Sequence, residues 1–499
     1  MLERPRDDLV ANTADYERLP LVKATGFREY DARWLFGDEI NLNGIQALGL
    51  GLGTYIQQRG VEPQIVVGHD FRGYSASIKM ALVTGLMASG CTVHDIGLAL
   101  SPMAYYAQFA LDVPAVAMVT ASHNDNGWTG VKMGCERPLT FGPDEMSALK
   151  DIVLGGKWEY RGGGALVHVP DMAERYMAEL VKDGPVKRKL KVVAACGNGT
   201  AGAFAPEVLK RAGLEVIPLD AELDHTFPRY NPNPEDMAML HAMRDKVLET
   251  GADVGLGFDG DGDRCGVVDN EGNEIFADKV GVMLARDISG VHPDSRFVAD
   301  VKSTGLFLTD PVLQAQGAKT DYWKTGHSYI KRRTTELGAI AGFEKSGHFF
   351  FREPLGLGYD DGLVSGIAVA RMLDRAGDKT MADLYRELPR TWGTPTMSPH
   401  CADEVKYGVI EKVTRHYQKL AANSERVAGQ PIRELITVNG VRVVLQDGTW
   451  GLVRASSNKP ELVVVCESPT AEENMQAMFK NIDMHLSEYD AVGEYNQKI

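Results

Sequence analysis

The sequence is short of cysteine, of long apolar runs and of positive charge, and each shortage removes a class of protein. Six cysteines (Cys91, Cys135, Cys196, Cys265, Cys401 and Cys466) are scattered through 499 residues, and no two form a C-x-x-C pair. That pattern speaks against a disulfide framework or a zinc ribbon and fits reduced thiols in a cytoplasmic chain. No stretch approaches the roughly 18 consecutive apolar residues of a membrane span. The opening "MLERPRDDLVANTADYERLP" also has no apolar core of the kind a secretory signal needs. Lys and Arg number 53 against 68 Asp and Glu, a formal net charge of -15, whereas a nucleic-acid binder needs a basic footprint. The expectation is a cytoplasmic protein with no nucleic-acid and no membrane partner. An acidic chain can still take a phosphorylated small molecule, which needs only a local basic site.

What is present is organised. A hydrophobic content of 44% with 24% charged residues is that of a globular protein rather than a disordered or fibrous one. The length allows roughly three to four domains. Three strand-like runs, "PQIVVGHDFRGYSASI", "LKVVAACGNGTAGAFAPEVLKRAG" and "RFVADVKSTGLFLTDPVL", each lead through a polar turn into a helical pattern. A second apolar run follows each and ends in a loop dense with chemistry: "VAMVTASHN", "VGLGFDGDGDR" and "IAGFEKSGH". This reads as a degenerate threefold repeat of one α/β domain with mostly buried strands. Loops at strand ends are where open α/β sheets bind ligands. Breaks fall at "GGKWEYRGGG", at "DNEGN" and at "TWGTPTMSPH". They predict domains over 1–163, 164–274, 275–392 and 393–499, the last of α+β texture.

The strongest single motif is "FDGDGDRCG". Asp259, Asp261 and Asp263 alternate with glycines, which permits a tight turn with all three acids facing one hard cation. An EF-hand does not fit, because its last ligand position would be Asn270 and strands flank the loop. A phosphatase with Asp259 as nucleophile does fit, and Arg264 beside the acids suits a site that also holds phosphate. "CGNGTAG" mimics a dinucleotide fingerprint, but nothing else supports a nicotinamide site, and it reads as a tight strand-helix turn. "YWKTGHSYIKRR" offers Lys324, His327 and Lys331, and "FEKSGHFFF" offers Glu344, Ser346 and His348. A Glu-Ser pair provides the acceptor and donor that sugar hydroxyls require. Arg454, Ser456, Ser457, Asn458 and Lys459 gather donors suited to a phosphate. In "VTASHNDNGWTGVKMG", Ser122 and His123 are neighbours; adjacent strand residues point to opposite sides, so they are not automatically a nucleophile and its base.

Taken together, these loops resemble those of the α-D-phosphohexomutase family, in its bacterial phosphomannomutase/phosphoglucomutase branch. The resemblance runs from "FREYDARW" to "RASSNKPELVVV", and four loops match in order. It implies three related α/β domains with mixed sheets and a C-terminal α+β domain around a central cleft. It also implies an enzyme that interconverts hexose 6-phosphate and hexose 1-phosphate, mannose and/or glucose, through a phosphoserine and a 1,6-bisphosphate intermediate. By this resemblance Ser122 is the phosphorylated serine and completes a Mg²⁺ site with Asp259, Asp261 and Asp263. Arg33, His123, Lys132 and Arg264 surround the transferring phosphoryl group, with Tyr30 lining the site. Lys302 and His327 contact substrate, and Glu344, Ser346 and His348 belong to the sugar-reading loop. Arg454, Ser456, Ser457 and Asn458 hold the phosphate that is not being transferred. Glucose or mannose 1,6-bisphosphate is the expected activator, and hexose phosphates are the expected partners.

Phosphoryl transfer is mainly positioning and charge stabilisation. Lys132 and Arg33 would offset charge on the phosphoryl oxygens, and a base would take the hydroxyl proton. Arg33, Lys132 and His348 all remain candidates for that base. Two alternatives stand beside the mutase: a sugar phosphatase of the dehalogenase type using Asp259, and a non-catalytic sugar-phosphate sensor.

Overall fold

The computed structural model describes residues 1–457 and 459–497. It forms two compact units, Met1–Ala277 with Ser346–Ala382, and Asp278–Lys345 with Asp383–Ile499.

In the first unit, six strands make one sheet: β1 (Ala32–Leu35), β2 (Gln64–His69), β3 (Thr92–Leu98), β4 (Ala115–Val119), β5 (Trp128–Gly134) and β6 (Ala165–His168). Their order is β1-β5-β4-β2-β3-β6. The "AVAMV" of β4 is buried at every position, as expected of a strand covered on both faces. It runs parallel to β2, with Val66 opposite Val116, and antiparallel to β5, with Met118 opposite Lys132. A second sheet holds β7 (Lys191–Ala195), β8 (Glu215–Leu219), β9 (Val254–Phe258), β10 (Cys265–Asp269) and β11 (Glu274–Ile275) in the order β11-β10-β9-β7-β8. Both sheets are mixed, with a parallel centre and an antiparallel flank.

The second unit contains β12 (Arg296–Asp300), which pairs in parallel with β13 (Lys319–Trp323) on one side and β14 (Ala341–Phe343) on the other. Strand β15 (Phe349–Phe351) lies in the segment that belongs to the first unit. The second unit continues with β16 (Trp392–Gly393), β17 (Arg426–Val427), β18 (Gln430–Ile436), β19 (Val441–Leu445), β20 (Trp450–Ala455) and β21 (Leu462–Ser468). These form an antiparallel sheet ordered β16-β21-β20-β19-β18-β17. Its apolar face packs against the helices Asp403–Ala422 and Glu472–Leu486 through Val413, Tyr417, Met478 and Ile482.

The repeat read from the sequence has a topological counterpart. The triplets β3-β2-β4, β8-β7-β9 and β13-β12-β14 share one parallel arrangement. In each, the loop leaving the last-named strand is one of the three chemistry-bearing loops. Among the described residues, no helix is long and apolar enough to cross a membrane.

Two helices over the first sheet, Leu42–Gln58 and Ser75–Ala88, approach each other at glycines. A Cβ on Gly49 would stand 2.3 Å from the Leu82 carbonyl oxygen, and one on Gly85 2.1 Å from that of Gln46. Gly85→Ala should therefore force the helices apart and cost about 1–3 kcal/mol, as overpacking does. Gly408 sits in the helix Asp403–Ala422 with open space around its missing side chain, so Gly408→Ala should stabilise by about 1 kcal/mol through helix propensity. Unfolding of the two variants in urea should move in opposite directions; equal shifts would refute the packing argument.

Candidate active site

The chain leaves β4 through Thr120 and Ala121 and reaches Ser122 in a left-handed backbone conformation, φ 52°. The Thr120 hydroxyl accepts the Ser122 N–H at 2.9 Å. Only 1% of Ser122 is exposed, so its hydroxyl is committed to the interior. Its Oγ donates to Asp259 Oδ2 at 3.1 Å and lies 3.2 Å from His123 Nδ1. Arg33 projects from β1, while its neighbours Ala32 and Trp34 face the core. Its guanidinium donates to the Ala121 carbonyl at 2.7 Å and to Asn124 Oδ1 at 2.6 Å, and it is paired with Asp31 at 2.9 Å. Tyr30 is buried in the turn that leads into β1.

The acidic loop joins β9 to β10 as a hairpin, with Phe258 opposite Cys265. Asp259, Asp261 and Asp263 are completely buried. A carboxylate oxygen from each lies within 4.8 Å of those of the other two. Asp259 Oδ1 accepts the backbone N–H groups of Asp263 (3.1 Å) and Arg264 (3.3 Å), which closes the turn. A Cβ on Gly260 would meet the Ser122 carbonyl oxygen at 2.3 Å. Glycine there is what lets the serine loop lie against the acidic loop.

Cations from other elements answer these acids. Lys132 on β5 reaches Asp261 Oδ2 at 2.6 Å and Asp263 Oδ2 at 2.5 Å, with its side chain 2% exposed. Arg264 Nε is 3.7 Å from Asp259 Oδ2 and 3.3 Å from His348 Nε2. His348 Nε2 stands 3.2 Å from Asp263 Oδ1, and its Nδ1 lies 3.0 Å from Ser346 Oγ. Burial, and then repulsion from Asp263 and Asp261, push the Asp259 carboxyl well above the usual carboxylate range. Burial also acts upward on Asp263, but Lys132 and His348 outweigh it and hold that carboxyl well below the ordinary value. Asp261 is lowered in the same way, Lys132 and Ser101 prevailing over burial and the Asp263 charge.

The residues fit a divalent metal ion. Among the described residues Asp261 Oδ1 is buried with no hydrogen-bond partner, and three carboxylates form an oxygen-only donor set suited to a hard cation. Three positively chargeable groups near the loop do not remove the case for a metal, because among the described residues only Lys132 bridges two of the acids.

The remaining sequence-derived residues lie in the second unit, apart from Ser346, which follows the unit boundary inside the E-K-S-G-H segment. Lys302 is buried just past β12. Glu344, just past β14, accepts the Gly326 N–H at 2.5 Å, immediately before His327 opens the helix His327–Leu337. Lys324 instead lies over the Tyr329 ring at 5.3 Å, and Lys331 is fully buried. Arg454 is buried on β20 and donates to the Ala455 carbonyl at 2.8 Å. Ser456 accepts the Lys459 N–H at 3.3 Å, Ser457 follows it, and Asn458 lies outside the described residues.

Several contributors were missed. Ser101 donates to Asp261 Oδ2 at 2.5 Å from the start of the helix Ser101–Ala110. Lys406 ties the Ser456 and Lys459 carbonyls at 2.6 and 2.9 Å. Asp70 and Arg72 lie directly under the serine loop. Only the last pair left a usable signal: charged residues two apart at the end of a buried parallel strand, where α/β sheets place their sites.

Four family models match the chain in order: phosphoglucomutase/phosphomannomutase alpha/beta/alpha domain I over residues 24–159, domain II over 174–272, domain III over 276–392 and the C-terminal domain over 405–482. A phosphomannomutase/phosphoglucomutase from Pseudomonas syringae pv. tomato is 36% identical over 455 residues, covering 91% of this chain and 93% of its own. One from Pseudomonas putida is 34% identical over 447 residues, covering 90% and 92%. The crystal structure of a phosphoglucomutase/phosphomannomutase family protein from Burkholderia thailandensis superposes with a TM-score of 0.84 at 28% identity, covering 95% of this chain and all of its own.

The raised Asp259 carboxyl sets a pH sign for metal binding. Without metal it keeps its proton up to a pH above the ordinary carboxylate range, and a cation must displace that proton. Titration calorimetry with Mg²⁺ as probe should show affinity rising with pH, levelling once Asp259 is ionised, with proton release on the low-pH side. Asp261→Asn should weaken binding by about 10-fold or more, in line with losing a carboxylate ligand. A pH-independent affinity that survives this substitution would mean the loop is not the metal site.

Proposed function

Since the chain belongs to the phosphoglucomutase/phosphomannomutase family, we propose that it interconverts hexose 1-phosphate and hexose 6-phosphate through a phosphorylated Ser122. The enzyme is a phosphotransferase of the mutase type. Neither a phosphatase using Asp259 nor a silent sensor draws support from these relatives. The observation that carries the reading is a buried serine hydroxyl aimed at a triad of buried carboxylates from another sheet.

Phospho-Ser122 gives its phosphoryl group to the free hydroxyl of a bound hexose phosphate. The O–P bond to serine breaks as the O–P bond to the sugar forms, and the hydroxyl proton passes to a protein base. Of the candidates Arg33, Lys132 and His348, burial opposes charge on the first two. Asp31 beside Arg33, and Asp261 and Asp263 beside Lys132, outweigh it and hold both protonated, so His348 is the candidate that remains. The 1,6-bisphosphate then returns its other phosphoryl group to Ser122. Asp259, Asp261 and Asp263 would hold Mg²⁺, which when bound supplies positive charge to the phosphoryl oxygens. Lys132, Arg33 and Arg264 add fixed positive charge, and His123 sits beside the serine oxygen. Arg454, Ser456, Ser457 and Asn458 would grip the phosphate not in transit. Lys302, His327 and Tyr30 would line the substrate. Glu344, Ser346 and His348 would read hydroxyls that glucose and mannose present alike, so both sugars are substrates and either 1,6-bisphosphate activates.

The domains of this reading are 1–163, 164–274, 275–392 and 393–499. The six free cysteines support the reducing cytoplasm as its compartment.

Protein supplied with Mg²⁺, glucose 1-phosphate and a trace of glucose 1,6-bisphosphate should yield glucose 6-phosphate. Ser122→Ala should lose on the order of 1,000-fold or more in turnover, as removal of a covalent nucleophile does, and should carry no phosphate in peptide mass spectrometry. Full turnover in that variant, or release of inorganic phosphate in place of the isomer, would sink the mutase reading.

A further inference from the structure

The left-handed Ser122 is held from beneath by residues that no sequence motif marked. Asp70 follows β2, and its N–H donates to the Val119 carbonyl at 2.9 Å, at the very end of β4. Asp70 and Arg72 are both buried and form an ion pair. Asp70 also accepts from Ser75 Oγ at 2.5 Å, from the Arg72 N–H at 3.2 Å and from the Ala121 N–H at 3.4 Å. With one Nη on Asp70, Arg72 turns the other upward. It donates to the Ser122 carbonyl at 3.0 Å and to the Asn124 carbonyl at 2.6 Å.

We infer that Arg72, fixed by Asp70, is a positioning residue for phosphoryl transfer: its guanidinium holds the Ser122 and Asn124 carbonyls and so aims the Ser122 hydroxyl. This rests on the phosphoserine reading and adds a residue to it.

Three constraints converge on this role. A serine with positive φ occupies a sparsely populated backbone region and persists only where its surroundings fix it. The Ser122 carbonyl that this conformation turns out is received on one side by Arg72 and pressed on the other by Gly260 of the acidic loop. The neighbouring Ala121 carbonyl is taken by Arg33. Loop direction is thus set by bonds to consecutive peptide groups rather than by side-chain packing.

The chemistry makes such a hold necessary. A phosphoserine carries about two negative charges, and its oxygen would sit beside the Asp259 carboxyl that Ser122 Oγ now meets at 3.1 Å. A loop free to swing would relieve that repulsion by turning the phosphoryl group away. Arg72 acts on the loop rather than on the phosphoryl group: its two Nη groups go to Asp70 and to the loop carbonyls. A lysine could keep the charge pair but could not span Asp70 and two carbonyls with one nitrogen.

The test compares Arg72→Lys with the double variant Asp70→Asn/Arg72→Met, which leaves no buried charge unpaired. For each, kcat and KM for glucose 1-phosphate, the unfolding midpoint and the phosphate content of Ser122 by intact mass are measured. Both should fold, lose on the order of 100-fold in kcat as misplacement of a reacting group does, and keep KM within about 3-fold. Ser122 should also take phosphate from the 1,6-bisphosphate more slowly. Wild-type kcat in the double variant, or full recovery in Arg72→Lys, would overturn the inference; the second result would make the pair a buried charge and nothing more. Should the double variant not fold, Arg72→Lys decides alone. A wild-type protein without turnover or phosphoserine would fail differently, removing the phosphoserine reading and this inference with it.

Discussion

Three carboxylates held out of water within 4.8 Å of one another repel strongly, and the first unit is built around containing that repulsion. Each buried ion costs several kcal/mol to desolvate, and removing one member of such a set leaves charge uncompensated. The answers come from separate places in the chain: Lys132 from β5, His348 from the segment after the unit boundary, Arg264 from the acidic loop itself. No one of these elements can shift without unbalancing the others. The same convergence of carboxylate oxygens makes the loop a receptor for a dication and lets Ser122 donate to Asp259. Stability and reactivity are here two readings of one electrostatic problem.

The repeated strand order solves a second problem, that of delivering unlike chemistry to equivalent places. In each triplet the central strand is buried and the chemistry leaves from the strand beside it. Hydroxyl, carboxylates and the Glu-Ser loop thus share one structural address while their sequences differ. Function is carried by the loops, and the scaffold beneath them can stay nearly constant.

This explains what could be read without coordinates. Buried parallel strands such as "AVAMV" and "VGLGF" announce themselves as short apolar runs, and alternating Asp-Gly announces a cation loop. The repeat could be seen because its strands and loops recur in one order along the chain. Ser101 and Lys406 could not be seen in that way. Each acts by grasping a carbonyl or carboxylate far off in sequence, and a backbone acceptor has no letter of its own. The twofold division of the chain into compact units was equally hidden, since it cuts between Lys345 and Ser346 inside a single motif.

The backbone at Ser122 also decides which alcohol the chain can use. Threonine offers the same hydroxyl and would serve as well in an extended segment. At φ 52°, however, a β-branched side chain is a genuine outlier. The extra methyl would also enter a position that is almost wholly enclosed. Of the two aliphatic alcohols in the genetic code, only serine is compatible with this turn. Conformation therefore narrows the choice of nucleophile at this position before chemistry is consulted.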